Sequence, residues 1–385
     1  MPRIAIVHDW LTTYAGSERV LEQMLQVYPQ ADLFALLDLL PEAERLFLGG
    51  RPVRTSSLQR YPFINRDNYR NYLPFMPRAI QGLDLSTYEV ILSSCHAVSK
   101  GVRTRTDQLH ISYLHSPMRY AWDMQDEYLT KSGFGQLKRW AARLLLKRIQ
   151  KWDLAAAQRP TLLLANSHYI AGRVEQFYRR QAQVIYPPVD VDKFQPSGAR
   201  QDFYLAASRL VPYKRLDLVA RAFMGMPDRQ LVIIGDGPEG ARWRQISAPN
   251  IHWLGYQPDA VLLDYLQRCR AFVFAAREDF GILPLEAQAC GVPVIAFGQG
   301  GLAETIQGLD HPQPGGVFFL EQTEQAIRQA LQEFERNSAL ITPQACRRNA
   351  ERFSIARFRR ELAEFVDSAW VDYKVGKLVM RGKLG

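Results

Sequence analysis

The sequence has few cysteines and no long apolar run. Its 385 residues include four scattered cysteines without a CxxC spacing: Cys95, Cys269, Cys290 and Cys346. Such cysteines are typical of reduced intracellular thiols, not of a disulfide framework or a zinc site. No run of eighteen apolar residues occurs, so we expect no membrane-spanning helix. The first residues, MPRIAIVHDW, lack the apolar core of a signal peptide, and we expect a cytoplasmic protein.

Acidic residues are outnumbered by basic ones. The chain has 48 Lys and Arg against 39 Asp and Glu, a formal net charge of +9. This excess favours an anionic partner, which could be a nucleotide, a phospholipid or a nucleic acid. Composition alone leaves all three open. The nucleophile elbow GxSxG and the P-loop spacing are both absent, which disfavours a hydrolase triad of the first type and an NTPase of the second.

Short apolar runs alternate with helical patterns in both halves of the chain. Continuous apolar strands separated by helices indicate parallel sheets covered on both faces, and one series per half predicts two doubly wound domains. The predicted strands of the first half lie at 4–9, 31–37, 89–94, 110–115, 161–167 and 183–188. Those of the second half lie at 204–208, 231–237, 251–256, 272–276, 293–297 and 316–320.

The segment YPPVDVDKFQPSGARQD (186–202) is rich in Pro, Asp and Ser, and we place a hinge within it, at 189–202. The first domain is then 1–188 and the second 203–367. Ligands of open parallel sheets bind beyond the carboxyl ends of the strands. Two facing domains of this α/β class therefore predict an enzyme whose site lies in the cleft between them.

The stretch EDFGILPLE (278–286) places two glutamates eight positions apart, with Glu278 in a loop after a predicted strand and Glu286 in the first turn of a helix, a turn that Pro284 also suits. If all of it were helical, the carboxylates would lie about 12 Å apart along the axis. That exceeds the roughly 5–9.5 Å of a glycosidase pair. We therefore expect Glu278 and Glu286 to bind different hydroxyls of one ligand, with Gly281 presenting backbone N–H groups. An acidic first turn that complements the helix dipole remains the alternative.

Arg209 and Lys214 follow the first predicted strand of the second half, in ASRLVPYKRLD (207–217). A guanidinium and an ammonium at this spacing suit a diphosphate, although surface salt bridges use the same residues. Two Gly-containing turns, IIGDGPE (233–239) and FGQGGLAE (297–304), allow close approach of a ligand. They give only weak support to a dinucleotide-binding protein.

In the first half, His115 ends a predicted strand in SYLHSPMRYAWD (112–123), where it either binds substrate or packs as a capping residue. The segment DVD (190–192), with two aspartates, is better explained by a turn than by a metal site. The segment LKRWAARLLLKRIQK (137–151) has six basic residues, no acidic residue and a helical apolar face. It predicts either a peripheral contact with an anionic membrane or a helix that packs internally with a solvated basic face. No RNA-module signature occurs, and we expect no nucleic-acid partner.

Together these stretches resemble the retaining GT-B glycosyltransferases of family 4, a group with many bacterial mannosyl- and glucosyltransferases. The resemblance covers nearly the whole chain, from HDWLTTYAGSE through HSPMRY, YPPVDVDKF, SRLVPYKRLD and VIIGDGPE to EDFGILPLEAQACGVPVIA. It implies two Rossmann-like domains and a C-terminal helix that crosses back onto the first domain. The segment WVDYKVGKLVM (370–380) is placed for that crossing, and 368–385 would complete the first domain.

The resemblance also implies roles for individual residues. Arg209 and Lys214 would hold the donor diphosphate, Glu286 the ribose, and Glu278 the donor sugar. His115 would face the transferred sugar. The backbone contacts would come from Gly16 over the phosphates, from Phe280, Gly281 and Ile282 at the sugar, and from Gly235, Gly237 and Tyr256 at the base. Relatives often have Gly-Gly where this chain has Ala15–Gly16, so the extra methyl puts the detailed role of that loop in question.

The implied function is the transfer of a hexose from a nucleotide sugar to a saccharide acceptor, with retention of configuration and without metal or cofactor. The first-half motifs most resemble mannosyltransferases of surface-polysaccharide assembly, which favours GDP-mannose as the donor. The basic segment 137–151 favours a lipid-linked acceptor, reached from the cytoplasmic face of the plasma membrane. The alternatives are a nucleotide-sugar epimerase of the same shape, a non-catalytic membrane- or carbohydrate-binding subunit, and a Rossmann dehydrogenase.

Overall fold

The computed structural model describes residues 2–122 and 136–376, without the side chains of 120, 136–139 and 141. The chain divides into two compact units. The first comprises the residues up to 186 together with those from 358 onward, and the second comprises 187–357. Each unit is built on one parallel sheet.

The first unit contains a seven-stranded sheet in the order β3-β2-β1-β4-β5-β6-β7. All of its strand pairs are parallel. The strands are β1 (Ile4–Leu11), β2 (Asp32–Asp38), β3 (Val53–Thr55), β4 (Val90–Cys95), β5 (Leu109–Leu114), β6 (Leu162–Ala165) and β7 (Gln183–Val184). Every residue of β1, β4 and β5 is buried, as expected for strands covered on both faces.

The second unit contains a six-stranded parallel sheet in the order β10-β9-β8-β11-β12-β13. Its strands are β8 (Phe203–Ala207), β9 (Gln230–Ile234), β10 (Ile251–Gly255), β11 (Ala271–Phe274), β12 (Val294–Phe297) and β13 (Gly316–Phe319). Both sheets and the α/β class predicted from the sequence are thereby confirmed. One strand was missed, β3, because three residues flanked by Pro52 carry too short a pattern to read.

Helices connect the strands and cover the sheets. Those of the first unit are α1 (Gly16–Val27), α2 (Met76–Gln81), α3 (Arg119–Trp122), α4 (Gln136–Ala157) and α5 (His168–Tyr178). Those of the second are α6 (Leu216–Met224), α7 (Gly240–Trp243), α8 (Asp259–Arg268), α9 (Ile282–Ala289), α10 (Leu302–Thr305), α11 (Glu324–Asn337) and α12 (Pro343–Glu351). In α11 the apolar residues recur at helical spacing and are buried, while the Thr323 side chain caps the first turn.

The last helix, α13 (Ile355–Lys374), returns the chain to the first unit. Phe358, Leu362, Val366 and Ala369 lie on one face of it and pack into the core formed around β1 and β5. The Phe358 ring meets Tyr113 of β5 edge to face at 6.1 Å. The C-terminal helix predicted to cross back is thus confirmed, and its packing begins at Phe358. The part of the predicted crossing segment beyond 376 lies outside the described residues.

The structure also bears on membrane spans and on the state of the cysteines. Within 2–122 and 136–376, no helix is long and apolar enough to cross a membrane. All four cysteines are buried free thiols. Burial raises the pKa of Cys95 to about 11. This cysteine is therefore a protonated core side chain at neutral pH.

The packing of α13 leads to a stability prediction. Phe358→Ala removes a fully buried aromatic ring, and we expect it to lower the free energy of unfolding by about 3–5 kcal/mol. Val371→Ala on the same helix changes a side chain that is 60% exposed and should stay within about 0.5 kcal/mol of the wild type. Urea denaturation followed by circular dichroism measures both. Equal effects of the two changes would contradict the packing described.

Candidate functional site

Each sheet reverses its strand order at one point. In the second unit β8 lies beside β11, although two strands intervene in sequence, and in the first unit β1 lies beside β4. The connections that follow the two neighbouring strands run in opposite directions, which leaves a crevice at the carboxyl ends of the strands. The predicted site residues follow these strands or strands farther along the same edge of each sheet. The sheet topology therefore brings them together within each unit.

Arg209 follows β8 on a segment that is fixed by its neighbours. Ser208 and Leu210 donate backbone hydrogen bonds to Ile234 O at 3.1 Å and Asp236 O at 2.9 Å. The backbones pass so closely that a Cβ at Gly237 would lie 2.6 Å from Leu210 O. Only glycine fits there, so the predicted glycines of the 233–239 turn hold the Arg209 segment. The Arg209 side chain itself is exposed.

The turn at 235–240 reads GDGPEG and so has the GxGxxG spacing. It follows β9, the second strand of its unit, whereas a dinucleotide fingerprint follows the first strand. Its glycines serve the backbone packing against Leu210. This position counts against the Rossmann dehydrogenase alternative.

Lys214 and Glu278 form an ion pair across the reversal point of the second sheet. Lys214 ends the single 3₁₀ turn Pro212–Lys214 after β8, and Glu278 follows β11. The Lys214 ammonium bonds Glu278 Oε1. Their side chains are 17% and 14% exposed, and the ammonium also lies 5.1 Å from the centre of the Tyr213 ring. Both side chains are largely buried, which strengthens their electrostatic interaction compared with that of an ion pair in bulk water.

The loop that carries Glu278 is held by a second glycine pair. Gly301 N donates to Glu278 O at 2.8 Å, and Gly300 forms an isolated parallel bridge with Glu278. A Cβ at Gly301 would come within 2.6 Å of Phe280 Cα, so the two loops pack backbone against backbone. The sequence suggested that this Gly-rich turn could bind a ligand. In the structure it supports the Glu278 loop.

Gly281 begins α9 in the left-handed region, with φ of 94°. A side chain there would be strained and would also clash with Leu302, so glycine is required. Phe280 is buried against Phe353, with ring centroids 5.5 Å apart, and Ile282 is the first helical residue. The backbone N–H groups at the start of α9 thus lie directly beyond Glu278, in the arrangement that the sequence predicted.

Glu286 lies one helical turn later than predicted. Because α9 begins at Ile282, two residues before Pro284, Glu286 is its fifth residue and belongs to the second turn. It is only 2% exposed. Glu278 and Glu286 therefore occupy different surroundings, one paired with a lysine and one deep in the unit.

Tyr256 follows β10, the third strand on that side of the sheet, and is 76% exposed. Gly255, which precedes it, has φ of 71° and accepts a hydrogen bond from Gly235 N at 2.8 Å. Tyr256 is therefore tied to the glycine turn at 235–237, next to the Arg209 segment. A broad exposed ring at this position suits stacking with a planar base.

In the first unit His115 follows β5 and is partly buried. Its backbone is anchored on both sides, because His115 N donates to Cys95 O at 2.8 Å and Asn166 Nδ2 donates to His115 O at 2.8 Å. Its Nε2 lies 2.8 Å from Ser94 Oγ. Burial, reinforced by the neighbouring His96, lowers the pKa of His115 to about 3. His115 is therefore a neutral hydrogen-bonding group at physiological pH.

The Ala15–Gly16 loop shows no strain from the extra methyl group. Ala15 caps α1 in an ordinary extended conformation, with φ of −134° and ψ of −157°. Its N–H donates to Glu18 Oε2 at 3.1 Å, and Tyr14 N donates to Glu44 Oε2 at 2.7 Å. The loop is thus held by two carboxylates, and an alanine fits as well as a second glycine.

Several polar residues of this site were missed by the sequence reasoning. Asp9, at 0% exposure, accepts four backbone hydrogen bonds of 2.6–2.8 Å from residues 96–99. Burial opposes its ionisation, but His96, His8 and these bonds outweigh burial and lower the pKa of Asp9. His8, Glu18 and Ser94 are buried beside it. The available signal was the presence of polar residues in the second half of β1 and near the end of β4, whose adjacency a sequence does not reveal.

The basic helix has an exposed outer side. Within α4, Trp140 is 61% exposed and Leu144 is 42% exposed, whereas Ile149 is buried at 4%. Arg143, Lys147, Arg148 and Lys151 are all exposed. Leu137, Lys138 and Arg139 of the predicted segment lie outside the described side chains. The helix thus packs internally through one side and presents aromatic, aliphatic and basic groups on the other.

Comparison with known families gives two matches that together cover 14–353. The model described as Glycosyltransferase Family 4 matches residues 14–193, and the model described as Glycosyl transferases group 1 matches residues 190–353. The first match lies largely on the first unit and the second on the second unit.

Curated relatives match over part of the chain. A GDP-mannose-dependent monoacylated alpha-(1-6)-phosphatidylinositol monomannoside mannosyltransferase of Corynebacterium glutamicum is 37% identical over 114 residues, which are 26% of this chain and 30% of that protein. A D-inositol 3-phosphate glycosyltransferase of Segniliparus rotundus is 31% identical over 172 residues, 37% of this chain and 38% of that protein. The chain thus spans about a third of the length of these relatives.

Solved structures match over nearly the whole chain. HepE of Anabaena, crystallised with UDP and glucose, has a TM-score of 0.69 at 18% identity, with 96% of this chain and 100% of that chain covered. Sucrose-phosphate synthase of Thermosynechococcus elongatus has a TM-score of 0.71 at 17% identity, covering 96% and 99%. At these identities the likeness concerns the fold. The chain therefore carries a Glycosyltransferase Family 4 domain followed by a Glycosyl transferases group 1 domain, and its two parallel-sheet units have the GT-B fold.

Proposed function

We propose that this protein is a retaining, metal-independent glycosyltransferase that moves mannose from GDP-mannose to a lipid-linked saccharide. The observation that carries the proposal is the Lys214–Glu278 ion pair at the reversal point of the second sheet. Arg209, which is exposed at the end of the neighbouring strand, adds a second cation to the same edge. Two cations beside a carboxylate suit a sugar attached to a diphosphate.

The ion pair suggests how the donor is recognised. A diphosphate competes with Glu278 for the Lys214 ammonium and carries more negative charge than one carboxylate. When Lys214 turns to the diphosphate, the Glu278 oxygens are released to accept hydrogen bonds from sugar hydroxyls. Lys214 and Arg209 then stabilise the charge that develops on the departing diphosphate, which is the electrostatic contribution a divalent metal makes in other transferases.

The surroundings of the carboxylates support retention without a covalent sugar–enzyme intermediate. In this arrangement Glu278, once released by Lys214, is held by hydroxyls of the sugar, and Glu286 lies in the second turn of α9 at 2% exposure, where it is assigned to the ribose. A nucleophile needs a carboxylate that is free to attack the reacting carbon. We therefore propose that the acceptor hydroxyl attacks from the side on which the diphosphate leaves. Glu286 takes the ribose hydroxyls, and Tyr256 and the turn at 235–237 flank the base.

The donor and acceptor are proposed from the relatives and from the surface of α4. The mannosyltransferase relative of C. glutamicum is GDP-mannose-dependent and acts on a phosphatidylinositol mannoside, which is itself a lipid. On this chain, Trp140 and Leu144 with four exposed basic residues suit the interface of an anionic membrane. We propose that this surface brings the enzyme to a lipid-linked acceptor at the cytoplasmic membrane face.

Charge reversal tests the catalytic role of the ion pair. We expect Lys214→Glu and Glu278→Lys each to lower kcat by about 100-fold or more, because each disturbs groups that face developing charge. The double variant restores the ion pair and its stability but reverses both charges towards the donor. Its kcat should stay low in a mannosyl-transfer assay. Recovery of kcat in the double variant would reduce the pair to a structural salt bridge.

A control for charge alone is available in the same unit. Lys193 pairs with Asp259 at 2.7 Å, but its side chain is 40% exposed and lies outside the proposed site. Lys193→Met should leave kcat within about twofold of the wild type, since exposed ion pairs contribute little.

We predict that the donor can be identified from the change in melting temperature that GDP-, UDP- and ADP-sugars each cause without added metal. A donor at one hundred times its dissociation constant adds about 2.7 kcal/mol to the free energy of unfolding. GDP-mannose should raise the melting temperature, and Lys214→Glu should abolish that rise. A rise with UDP-glucose alone would keep the transferase and exclude mannose. Turnover of the donor without an acceptor would favour the epimerase alternative.

Membrane contact is predicted to depend on the outer side of α4. Sedimentation with vesicles that contain anionic phospholipid should capture the wild type at low salt, and capture should fall as salt screens the basic residues. Trp140→Ser with Leu144→Ser should weaken it. The control is Leu320→Ser in the second unit, where a more exposed leucine (70%) has no basic helix around it. Equal capture of both variants would contradict the proposal.

A further inference from the structure

Four polar side chains of the first unit form one continuous chain of hydrogen bonds. Glu18 Oε1 lies 3.3 Å from His8 Nε2, and His8 Nδ1 lies 3.1 Å from Ser94 Oγ. Ser94 Oγ in turn lies 2.8 Å from His115 Nε2. Glu18, His8 and Ser94 are 3%, 0% and 0% exposed, so water does not compete for these contacts. The chain runs from helix α1 through β1 and β4 to the end of β5.

If His8 is the neutral ring, the chemistry of the groups fixes the direction of the bonds. Burial opposes ionisation of Glu18, but its hydrogen bond with His8 and its electrostatic interactions with His8 and His96 together outweigh burial and lower the pKa of Glu18. An ionised carboxylate only accepts, so His8 Nε2 carries a hydrogen. In a neutral His8 the Nδ1 atom is then the acceptor, and it takes the single hydroxyl hydrogen of Ser94. Ser94 Oγ can therefore only accept from His115, whose Nε2 carries the hydrogen.

We infer that Glu18, His8 and Ser94 are positioning residues that hold His115 as the Nε2–H tautomer, so that its Nδ1 accepts a hydrogen bond from a hydroxyl of the transferred sugar. The inference rests on the proposed function, in which His115 contacts that sugar. Neutral His115 then selects a sugar with a hydroxyl donor at this place and rejects one that lacks it. Such discrimination is strong, because a sugar that lacks the hydroxyl would leave His115 Nδ1, whose tautomer the buried network fixes, without a hydrogen-bond donor.

The same carboxylate also holds the loop before α1. Glu18 Oε2 accepts from Ala15 N at 3.1 Å and from Ser17 Oγ at 3.0 Å, while Oε1 serves His8. The proposed phosphate loop at Ala15–Gly16 and the proposed sugar contact at His115 therefore share one buried anion.

The protein contains a matched control that tests for a merely structural role of Ser94. Ser93, the neighbour of Ser94 on β4, bonds His110 Nε2 at 2.9 Å, and both residues are fully buried. Ser93→Ala thus deletes the same type of buried Ser–His hydrogen bond from the same strand. Because successive residues of a strand point to opposite faces, it does so away from His115.

The tautomer is measured by long-range proton–nitrogen NMR on the full chain labelled at histidine, with the His115 signals assigned by their loss in His115→Gln. We expect Nε2–H in the wild type and a mixture of tautomers in Ser94→Ala, while Ser93→Ala keeps Nε2–H. An Nδ1–H tautomer in the wild type, which a protonated His8 would produce, overturns the inference. So does an unchanged tautomer in Ser94→Ala. This readout does not depend on transferase activity.

Kinetics provide the second readout. Ser94→Ala should lower kcat/KM for the nucleotide sugar by about 5- to 10-fold, the loss expected for one hydrogen bond, and leave the affinity for GDP alone unchanged. Ser93→Ala should lower the melting temperature similarly but keep kcat/KM within about twofold. If kcat/KM falls in both variants in the same proportion to the fall in melting temperature, the inference is overturned. If the wild type transfers no sugar from any donor, the proposed function fails, while the NMR result still decides the tautomer.

Discussion

The reversal of strand order in each sheet is the constraint on which the rest of the site depends. At that point the chain leaves two neighbouring strands in opposite directions, and backbone groups at the strand ends are left without a continuing connection to cover them. In the second unit, Arg209 follows one of these strands and Glu278 the other. In the first unit, His8 lies within β1 and Ser94 lies near the end of β4, where the two residues are paired in register. The same topology, used twice, therefore concentrates charged and polar groups where the fold leaves room for a ligand.

Glycine residues allow the loops at these strand ends to pack directly against one another, backbone to backbone. Gly237 lets the Arg209 segment pack directly on the next loop, and Gly301 does the same for the Glu278 loop. The loops are thereby fixed by backbone hydrogen bonds, so little conformational freedom remains to be lost when a ligand binds. In the proposed mechanism only Lys214 has to change its partner. The proposal thus combines loops fixed by their backbones with one cation that turns from Glu278 to an anionic ligand.

Much of this was accessible from the sequence, because long buried strands and the E-x7-E segment are local patterns. The sheets, the returning C-terminal helix and the position of Glu278 after a strand were all predicted. The start of α9 was not, since Pro284 suits several positions of a first turn and the left-handed Gly281 decides where the helix begins. The Glu18-to-His115 chain was missed for a deeper reason. It depends on the register between β1, β4 and β5, which sets Ser94 between two histidines from distant parts of the sequence.

The protonation of His115 connects the fold with the proposed chemistry. Its pKa of about 3 lies below the ordinary value of about 6.5 because burial disfavours the charged ring. The unfolded chain therefore binds the proton more readily, so the stability this group contributes is present above pH 6.5 and is lost as the pH falls towards 3. At physiological pH a neutral ring with such a low pKa is a poor proton donor. It can orient a sugar hydroxyl, and a transfer in which Lys214 and Arg209 balance the leaving charge requires no more of it.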